Sequence, residues 1–471
     1  MIPISEYAGK DVAVFGLGRT GMSAAKALKA GGARVHAWDD NEETRIKAER
    51  EGIELSDINK RDWQTFAALV LSPGVPYRFP KPHRIVRMAE MTGVPVVGDM
   101  ELFARAVQSL PERARPKVIG ITGTNGKSTT TELIGHILRH AGRDVRIGGN
   151  IGTGVLNLAS LHANAIYVLE LSSYQLDLVK SLHCDIAVML NISPDHLDRH
   201  GGMEGYQAAK MRIFQNQTEK DTAIVGFDEP ISQSIAIGLS ASGPANVVQV
   251  AATYALGRGV SAVSGSIYDS QSGNAELMGD LKNCPSLIGT HNHQNAVAAY
   301  AACRAIGVDP QTIVEALESF PGLAHRMERV GEKDGVSFVN DSKATNAHAA
   351  EQALKAYDNI YWIAGGVAKA EGIEPLRPFF SKVRKAYLIG EAQGAFSQAL
   401  SSDAPSQKCG NLDAAVEAAF EDAKAAGDEN PVVLLSPACA SFDQFANFEQ
   451  RGDAFRNKAR ALILNDVQEP A

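Results

Sequence analysis

The sequence predicts an α/β protein of three successive domains, and three observations carry that prediction. Short β-branched runs recur along the chain, each followed by a glycine-bearing turn and an Ala/Leu-rich helical pattern. The runs are apolar throughout instead of alternating, as expected for parallel sheets covered by helices on both faces. Two of the turns are glycine loops of different kinds, "GLGRTG" at 16–21 and "TGTNGKST" at 122–129, each between a strand and a helix. With 471 residues, 45% of them hydrophobic, the chain has material for several cores.

The elements follow in order. "DVAVFGLG", "ARVHAWDD", "ALVLSPG" and "PVVGD" supply the strands of a Rossmann-like domain over 1–111, whose last helix is expected to end near Ala106. "VQSLPERARPK" at 107–117, with two prolines and four charges, reads as a linker. "KVIGITGTNGKS", "AIYVLELSS", "DIAVMLNI" and "TAIVGFD" build a P-loop ATPase-type α/β domain over 112–322. Its Ser/Gly/Ala-rich stretch at 240–283 alternates weakly and predicts a small extra antiparallel β element. Pro-Gly in "SFPGLAHRME", 319–328, breaks a helix and marks the next boundary. "VSFVNDS", "NIYWIAGG", "KAYLIG" and "PVVLLSPA" then form a second Rossmann-like domain over 323–471.

Composition narrows the function classes. A formal net charge of -8 without any Lys/Arg-rich block offers nucleic acid no basic field. The 5 cysteines lack C-x-x-C spacing and fit neither a disulfide framework nor a zinc ribbon. No leader pattern and no apolar run of about 18 residues is present, so a cytoplasmic protein without membrane insertion is expected.

The loop after "KVIGIT" is the most informative stretch. Backbone N–H groups of Gly123, Thr124, Asn125 and Gly126, backed by a helix N-terminus at Lys127-Ser128-Thr129, form an anion cradle. Lys127 adds a charge for β/γ-phosphates and Ser128 a hydroxyl for Mg²⁺, so the stretch predicts a nucleoside triphosphate site. It departs from the strict G-x-x-x-x-G-K-[ST] spacing, because Ile121 stands where the first glycine belongs. Such a site needs a carboxylate on a neighbouring strand. Glu170 closes "AIYVLE"; alternatives are metal ligation and capping of the helix after Ser172 or Ser173.

"DIAVMLNI" runs into Ser-Pro-Asp-His-Leu-Asp at 193–198, where open α/β sheets bind ligands. Asp195, His196 and Asp198 are candidates for a second metal, for the γ-phosphate, or for a merely hydrogen-bonded loop. Lys210, among alanines in "YQAAKMRIF", has nothing in its pattern to separate it from a solvated helical lysine. "HNHQN" at 291–295 admits a His-x-His metal reading on spacing alone. "GLGRTG" with Asp39 after the next strand meets the local criteria of a dinucleotide site.

"TGTNGKST", "ELSSYQL", "NISPDHLDRH", "AAKMRIF", "GTHNHQNAVAA", "AHRMERV", "NDSKATN" and "SPACASFDQFANFEQRG", in this order, resemble the Mur ligases of peptidoglycan synthesis, from about Val12 to Phe455. The resemblance implies an ATP-dependent ligase that adds D-glutamate to UDP-N-acetylmuramoyl-L-alanine through an acyl phosphate. It implies ATP and Mg²⁺ as cofactors, two metal sites, Mn²⁺ as a possible substitute, and a monomer. Ser128 and Glu170 match ligands of one Mg²⁺, His196 a ligand of the second, and Lys210 the family's carbamylated lysine. Lys127, His196 and Lys210 are thereby the expected catalytic set.

The resemblance also assigns Asn292 and Asn295 to the adenine nucleotide, and Arg326 and Asp341 to its phosphates and ribose. Lys343, Thr345, Lys369, Ser441, Phe442 and Phe448 match the D-glutamate site, Ser441 being expected at a helix start, with Phe445 and Phe455 in the core. In this light the first glycine loop changes its reading from a dinucleotide cofactor to the diphosphate of the UDP sugar. Gly18, Arg19 and Thr20 line that diphosphate, Asp39 and Asp40 the uracil end, and Ser72, Asn150 and Ser172 lie further along the substrate.

Overall fold

The computed structural model describes residues 1–369 and 371–464; the end of the third predicted domain and Ala370, inside "VAKAEG", lie outside them. Contacts divide the chain into two compact units, Met1–Pro285 with Thr290–Ser319, and Ser286–Gly289 with the chain from Phe320 on. Three separate sheets, each mainly parallel, make the protein α/β as the sequence predicts.

The first unit holds two sheets. In the smaller one the order is β2 (Arg34–Trp38), β1 (Asp11–Phe15), β3 (Phe66–Leu71) and β4 (Val96–Val97), all parallel. β1 is flanked by β2 and β3, so the turns after all three open at one edge. Those turns carry Gly18, Asp39 and Ser72. The helix Asp99–Gln108 leads out, ending close to the expected Ala106. Its Glu101 accepts hydrogen bonds from Lys180 N and Ser181 N at 2.7 and 2.9 Å, and Phe103 meets Tyr167 of the larger sheet at 5.3 Å. The buried Val12, Leu28, Phe103, Tyr167 and Leu169 belong to one continuous apolar cluster.

The larger sheet contains β5 (Lys117–Thr122), β6 (Asp144–Gly149), β7 (Ala165–Glu170), β8 (Ile186–Met189), β9 (Thr222–Gly226), β10 (Asn246–Ala251), β11 (Val260–Val263), β12 (Ser266–Asp269) and β13 (Glu276–Asp280). Its order is β13-β12-β11-β10-β9-β8-β5-β7-β6. From β5 the chain goes first to β6 and β7 on one side and then to β8 on the other. The crevice beyond the end of β5 is therefore the switch point at which such sheets bind ligands. β11, β12 and β13 pair antiparallel, which is the expected extra β element, whereas β10 extends the parallel sheet beside β9.

The second unit contains β14 (Glu328–Lys333), β15 (Val336–Asn340), β16 (Ile360–Gly365), β17 (Val383–Ile389), β18 (Ser406–Gly410) and β19 (Val432–Leu435), ordered β14-β15-β19-β16-β17-β18. β14 alone runs antiparallel, to β15. Apolar clusters cover both faces, one around Trp362 and Phe380, the other around Phe338 and Phe420. β19 lies between β15 and β16, which brings "NDSKATN", "SPACAS" and "GGVAK" to neighbouring strand ends.

Candidate active site

The glycine loop between β5 and the helix Lys127–His140 is held from both flanking strands. On the β8 side, Asn191 O and Oδ1 accept from Thr124 N and Asn125 N at 3.0 and 2.8 Å. Asn191 Nδ2 donates to Gln294 Oε1 at 3.2 Å, and Gln294 Nε2 donates to Asp228 Oδ2 at 2.7 Å. Thr124 Oγ1 sits 3.1 Å from both Ser193 O and the Tyr206 hydroxyl. Lys127 folds back over the loop, its Nζ donating to Gly123 O and Thr124 O at 2.9 and 2.8 Å.

On the β7 side, Ser128 Oγ donates to Glu170 Oε2 at 2.7 Å, and Asn150 Nδ2 donates to Glu170 Oε1 at 2.6 Å. Glu170 is buried, with its carboxylate at the first turn of the helix. Ser172 does cap the following helix: its Oγ accepts from Gln175 N, and Gln175 returns the bond to Ser172 N. Capping thus falls to Ser172, and the carboxylate of Glu170 faces Ser128.

Lys210 is 1% exposed, and its Nζ donates to Gly123 O at 2.7 Å and to Thr122 Oγ1 at 3.3 Å. Burial, aided by the charge of Lys127, pushes its pKa down to about 7, against the opposing pull of Asp195 and Glu170. The Tyr206 ring lies 4.8 Å from the same nitrogen. With its pKa drawn down to about 7, a substantial share of the amine is unprotonated near neutral pH and is nucleophilic beside the phosphate-type loop.

His196 sits in the left-handed region at φ 52°, 3.4 Å from Asp195 Oδ2 and with its ring 4.9 Å from that of Tyr174. It and Asp198 are exposed. Its neighbour His200 is buried, bonded to Ser173 Oγ at 3.0 Å, and held below the usual imidazole pKa by burial. Among the described residues no group of three or more His, Cys, Asp or Glu side chains is gathered that could hold a metal by itself. Ser128 and Glu170 are hard oxygen donors, and Mg²⁺ is usually bound by one or two carboxylates together with substrate phosphates. This donor pair at a phosphate loop suits that mode.

Asn292 and Asn295 lie on the helix Thr290–Ala305, where Asn295 Nδ2 donates to Asn292 Oδ1 at 3.2 Å and Thr130 Oγ1 donates to Asn295 Oδ1 at 3.2 Å. The same helix separates His291 from His293, because positions two apart do not share a face. Thr129 is buried beneath the loop.

At the first sheet, Thr20 Oγ1 and Ser72 Oγ are 3.0 Å apart, and Gly18 caps the helix Arg19–Ala30. Asp39 closes the glycine loop on itself, its Oδ2 accepting from Leu17 N at 2.6 Å. Asp40 is engaged by Arg84 at 2.8 Å and His83 at 3.3 Å. The Arg19 guanidinium donates to Asn150 O and Gly152 O at 2.7 and 2.9 Å.

In the second unit Asp341 is buried, accepting from Ser436 Oγ at 2.8 Å and Met327 N at 3.2 Å. Burial raises its carboxyl to about 7, partly offset by Arg326, which is itself exposed. Lys343 Nζ lies 5.7 Å from the Phe448 ring, and Thr345, two residues on, is half-buried. Arg451 ties two of the loops together, donating to Ser342 Oγ and Ser342 O at 3.0 and 2.9 Å and to Cys439 O at 3.0 Å. Lys369 and Phe442 are exposed; Phe442 has 74% of its surface open. Phe455 is fully buried and Phe445 packs on its cluster, as expected.

Ser441 corrects the expectation of a helix start. Its carbonyl accepts from Gln444 N and Phe445 N in a run of turns, and the helix begins at Phe448. Asn447 is the start signal, its Oδ1 accepting from Gln450 N at 2.8 Å. Asn191, Tyr206, Gln294 and Arg451, which hold these loops, stand outside the residues that the sequence predicts for the site. For Asn191, the signal was an asparagine at the end of an apolar strand, "AVMLN".

Residues 121–303 match the family described as Mur ligase middle domain, and residues 325–439 that described as Mur ligase, glutamate ligase domain. A Caulobacter species has a protein named UDP-N-acetylmuramoylalanine–D-glutamate ligase that is 57% identical, over 98% of each chain. A protein of the same name from Phenylobacterium zucineum is 56% identical over 98% of each chain. Among solved structures, UDP-N-acetylmuramate-alanine ligase MurC from Thermotoga maritima superposes with a TM-score of 0.57 at 17% identity, covering 96% of this chain and 99% of that one, a likeness of fold. With a phosphate loop braced by Glu170 and Asn191 and relatives this similar over nearly their whole length, the chain belongs to the Mur ligase family.

Proposed function

We propose that this chain is an ATP-dependent amide-bond ligase joining D-glutamate to the L-alanyl carboxylate of UDP-N-acetylmuramoyl-L-alanine in peptidoglycan precursor synthesis. The observation that carries the reading is the bond from Ser128 Oγ to Glu170 Oε2, 2.7 Å long, at the neck of the glycine loop. The printed names of the relatives supply the substrates.

In this reading Gly123, Thr124, Asn125, Gly126 and Thr129 cradle the nucleotide phosphates, and Lys127 turns from the loop carbonyls toward the β/γ-phosphates. Asn292 and Asn295 serve the adenine nucleotide, and Arg326 and Asp341 its phosphates and ribose. Ser128 and Glu170 would hold one Mg²⁺; His196 and Lys210, as a carbamate, would hold a second, with Mn²⁺ able to replace it. The metal supplies charge neutralisation for phosphoryl transfer, for which positioning and electrostatics dominate. A neutral Lys210 amine adds to CO₂ and releases one proton, becoming an anionic carbamate.

The substrate carboxylate attacks the γ-phosphorus, giving an acyl phosphate and ADP. The D-glutamate amine then attacks the acyl carbon and phosphate leaves. Gly18, Arg19, Thr20 and Ser72 serve the diphosphate of the UDP sugar, Asp39, which fastens the glycine loop, and Asp40 meet the uracil end, and Asn150 and Ser172 lie along the muramoyl arm. Lys343, Thr345, Lys369, Ser441, Phe442 and Phe448 serve D-glutamate. The domains would be 1–111 for the UDP sugar, 112–322 for ATP and 323–471 for the amino acid. A cytoplasmic monomer is the form we expect; among the described residues no helix is long and apolar enough to cross a membrane.

The test is phosphate release by purified protein with ATP, Mg²⁺ and UDP-N-acetylmuramoyl-L-alanine. Release should depend on added D-glutamate. Equal turnover with L-glutamate, L-lysine or meso-diaminopimelate would overturn the substrate assignment.

A further inference from the structure

Arg19 stands in the first glycine loop, yet its hydrogen bonds go to the loop that follows β6. The guanidinium bridges Asn150 O at 2.7 Å and Gly152 O at 2.9 Å, a fork-shaped contact that pins the 150–152 turn. That turn is pressed against the end of β7. Asn150 N donates to Glu170 O at 2.9 Å, and Gly149 N closes the turn on Thr153 O at 3.0 Å. Gly149 is at φ +101°, and a Cβ there would fall 2.4 Å from Glu170 O, so only glycine permits the approach. From the pinned turn, Asn150 Nδ2 reaches Glu170 Oε1 at 2.6 Å, and the other carboxylate oxygen accepts from Ser128 Oγ at 2.7 Å.

We infer that Arg19 is a positioning residue for the metal–nucleotide centre: through the 150–152 turn and the Asn150 amide it aims the Glu170 carboxylate at Ser128. The inference rests on the reading of Ser128 and Glu170 as the metal–nucleotide pair. It gives Arg19 a role before any sugar nucleotide is bound, separate from its proposed contact with the substrate diphosphate. A carboxylate oriented by two donors loses no rotamer freedom when the cation arrives. Releasing the turn restores that freedom, and the cost falls on metal-dependent binding only. Because Arg19 also borders the sugar-nucleotide loop, whatever engages its guanidinium there changes the metal site as well, and by linkage the effect is reciprocal.

Calorimetric titration of the full chain with ADP, in the absence of sugar nucleotide, tests this. With Mg²⁺ present, Arg19→Met should weaken ADP binding by roughly fivefold or more. In EDTA the two proteins should bind ADP equally, because the relay acts only through Glu170. Arg19→Lys, which offers one point charge to two carbonyls, should fall between them. Adding Arg19→Met to Asn150→Ala should cost nothing beyond Asn150→Ala alone. Equal Mg·ADP affinity in wild type and Arg19→Met overturns the relay and leaves the ligase reading standing. Equal weakening with and without Mg²⁺ also overturns it, as a general structural effect. No binding of Mg·ADP by wild type would overturn both.

Discussion

Ser128 and Glu170, 42 residues apart in sequence, are joined by a 2.7 Å hydrogen bond across the ends of β5 and β7. Glu170→Gln keeps the shape of the side chain and removes its charge. If the pair holds Mg²⁺, this variant should lose roughly a hundredfold in kcat, with part of the loss recovered as Mg²⁺ is raised. Steady-state kinetics over a magnesium series check it; unchanged kcat would remove Glu170 from the metal centre.

Lys210 is expected to matter through its neutral amine. Lys210→Ala should lose roughly a hundredfold or more in kcat and regain part of it with added short carboxylic acids, which restore the missing oxygen donors. Wild-type activity should fall in CO₂-depleted buffer and return with bicarbonate. A Lys210→Ala variant of normal activity would dismiss the carbamate.

Asn191 holds the loop through Asn125 N, at 2.8 Å, and relays to Gln294 and Asp228. Asn191→Ala leaves a part-buried backbone donor unmet, which typically costs ~1–3 kcal/mol. Roughly a tenfold or greater loss in kcat/KM for ATP is the expected result, with kcat/KM for D-glutamate at saturating ATP much less affected. Equal losses for both substrates would argue against a local effect on the loop.

Asp341 carries a pH signature. Its folded pKa is raised to about 7 by burial, while an unfolded aspartate titrates at about 4. Between those values the folded chain holds a proton that the unfolded chain has lost, so stability falls as pH rises through this window. Asp341→Asn removes the cost of the buried charge. It should flatten that slope and raise unfolding free energy by about 2 kcal/mol at pH 8, while activity drops. Urea unfolding from pH 4.5 to pH 8 measures both; a variant with the wild-type slope would contradict the assignment.

Much of this was legible in the sequence, and the exceptions have physical causes. The apolar strands of all three sheets stand out because burial on both faces leaves no polar alternation. β6, β14 and β18 escape because they lie at sheet edges, where "DVRIGG", "ERVGEK" and "SQKCG" keep half-exposed polar residues. The loop at 122–129 and Glu170 are readable because strand, turn and helix are contiguous and the acid ends a strand. Lys210 is not, since nothing in "AAKMRIF" reveals that its amine is buried against Gly123 O; only the family resemblance singled it out. Asn191 and Arg451 act on backbone atoms far away in sequence, and pairings of that kind leave no local pattern.

Phosphorylation of the L-alanyl carboxylate, followed by its capture by D-glutamate, can be followed by mass spectrometry of a reaction started with heavy-oxygen label in that carboxylate, with ATP, Mg²⁺ and D-glutamate. The expected products are ADP, a new amide, and phosphate carrying one labelled oxygen from the carboxylate. Unlabelled phosphate, or AMP and pyrophosphate in place of ADP, would contradict that route.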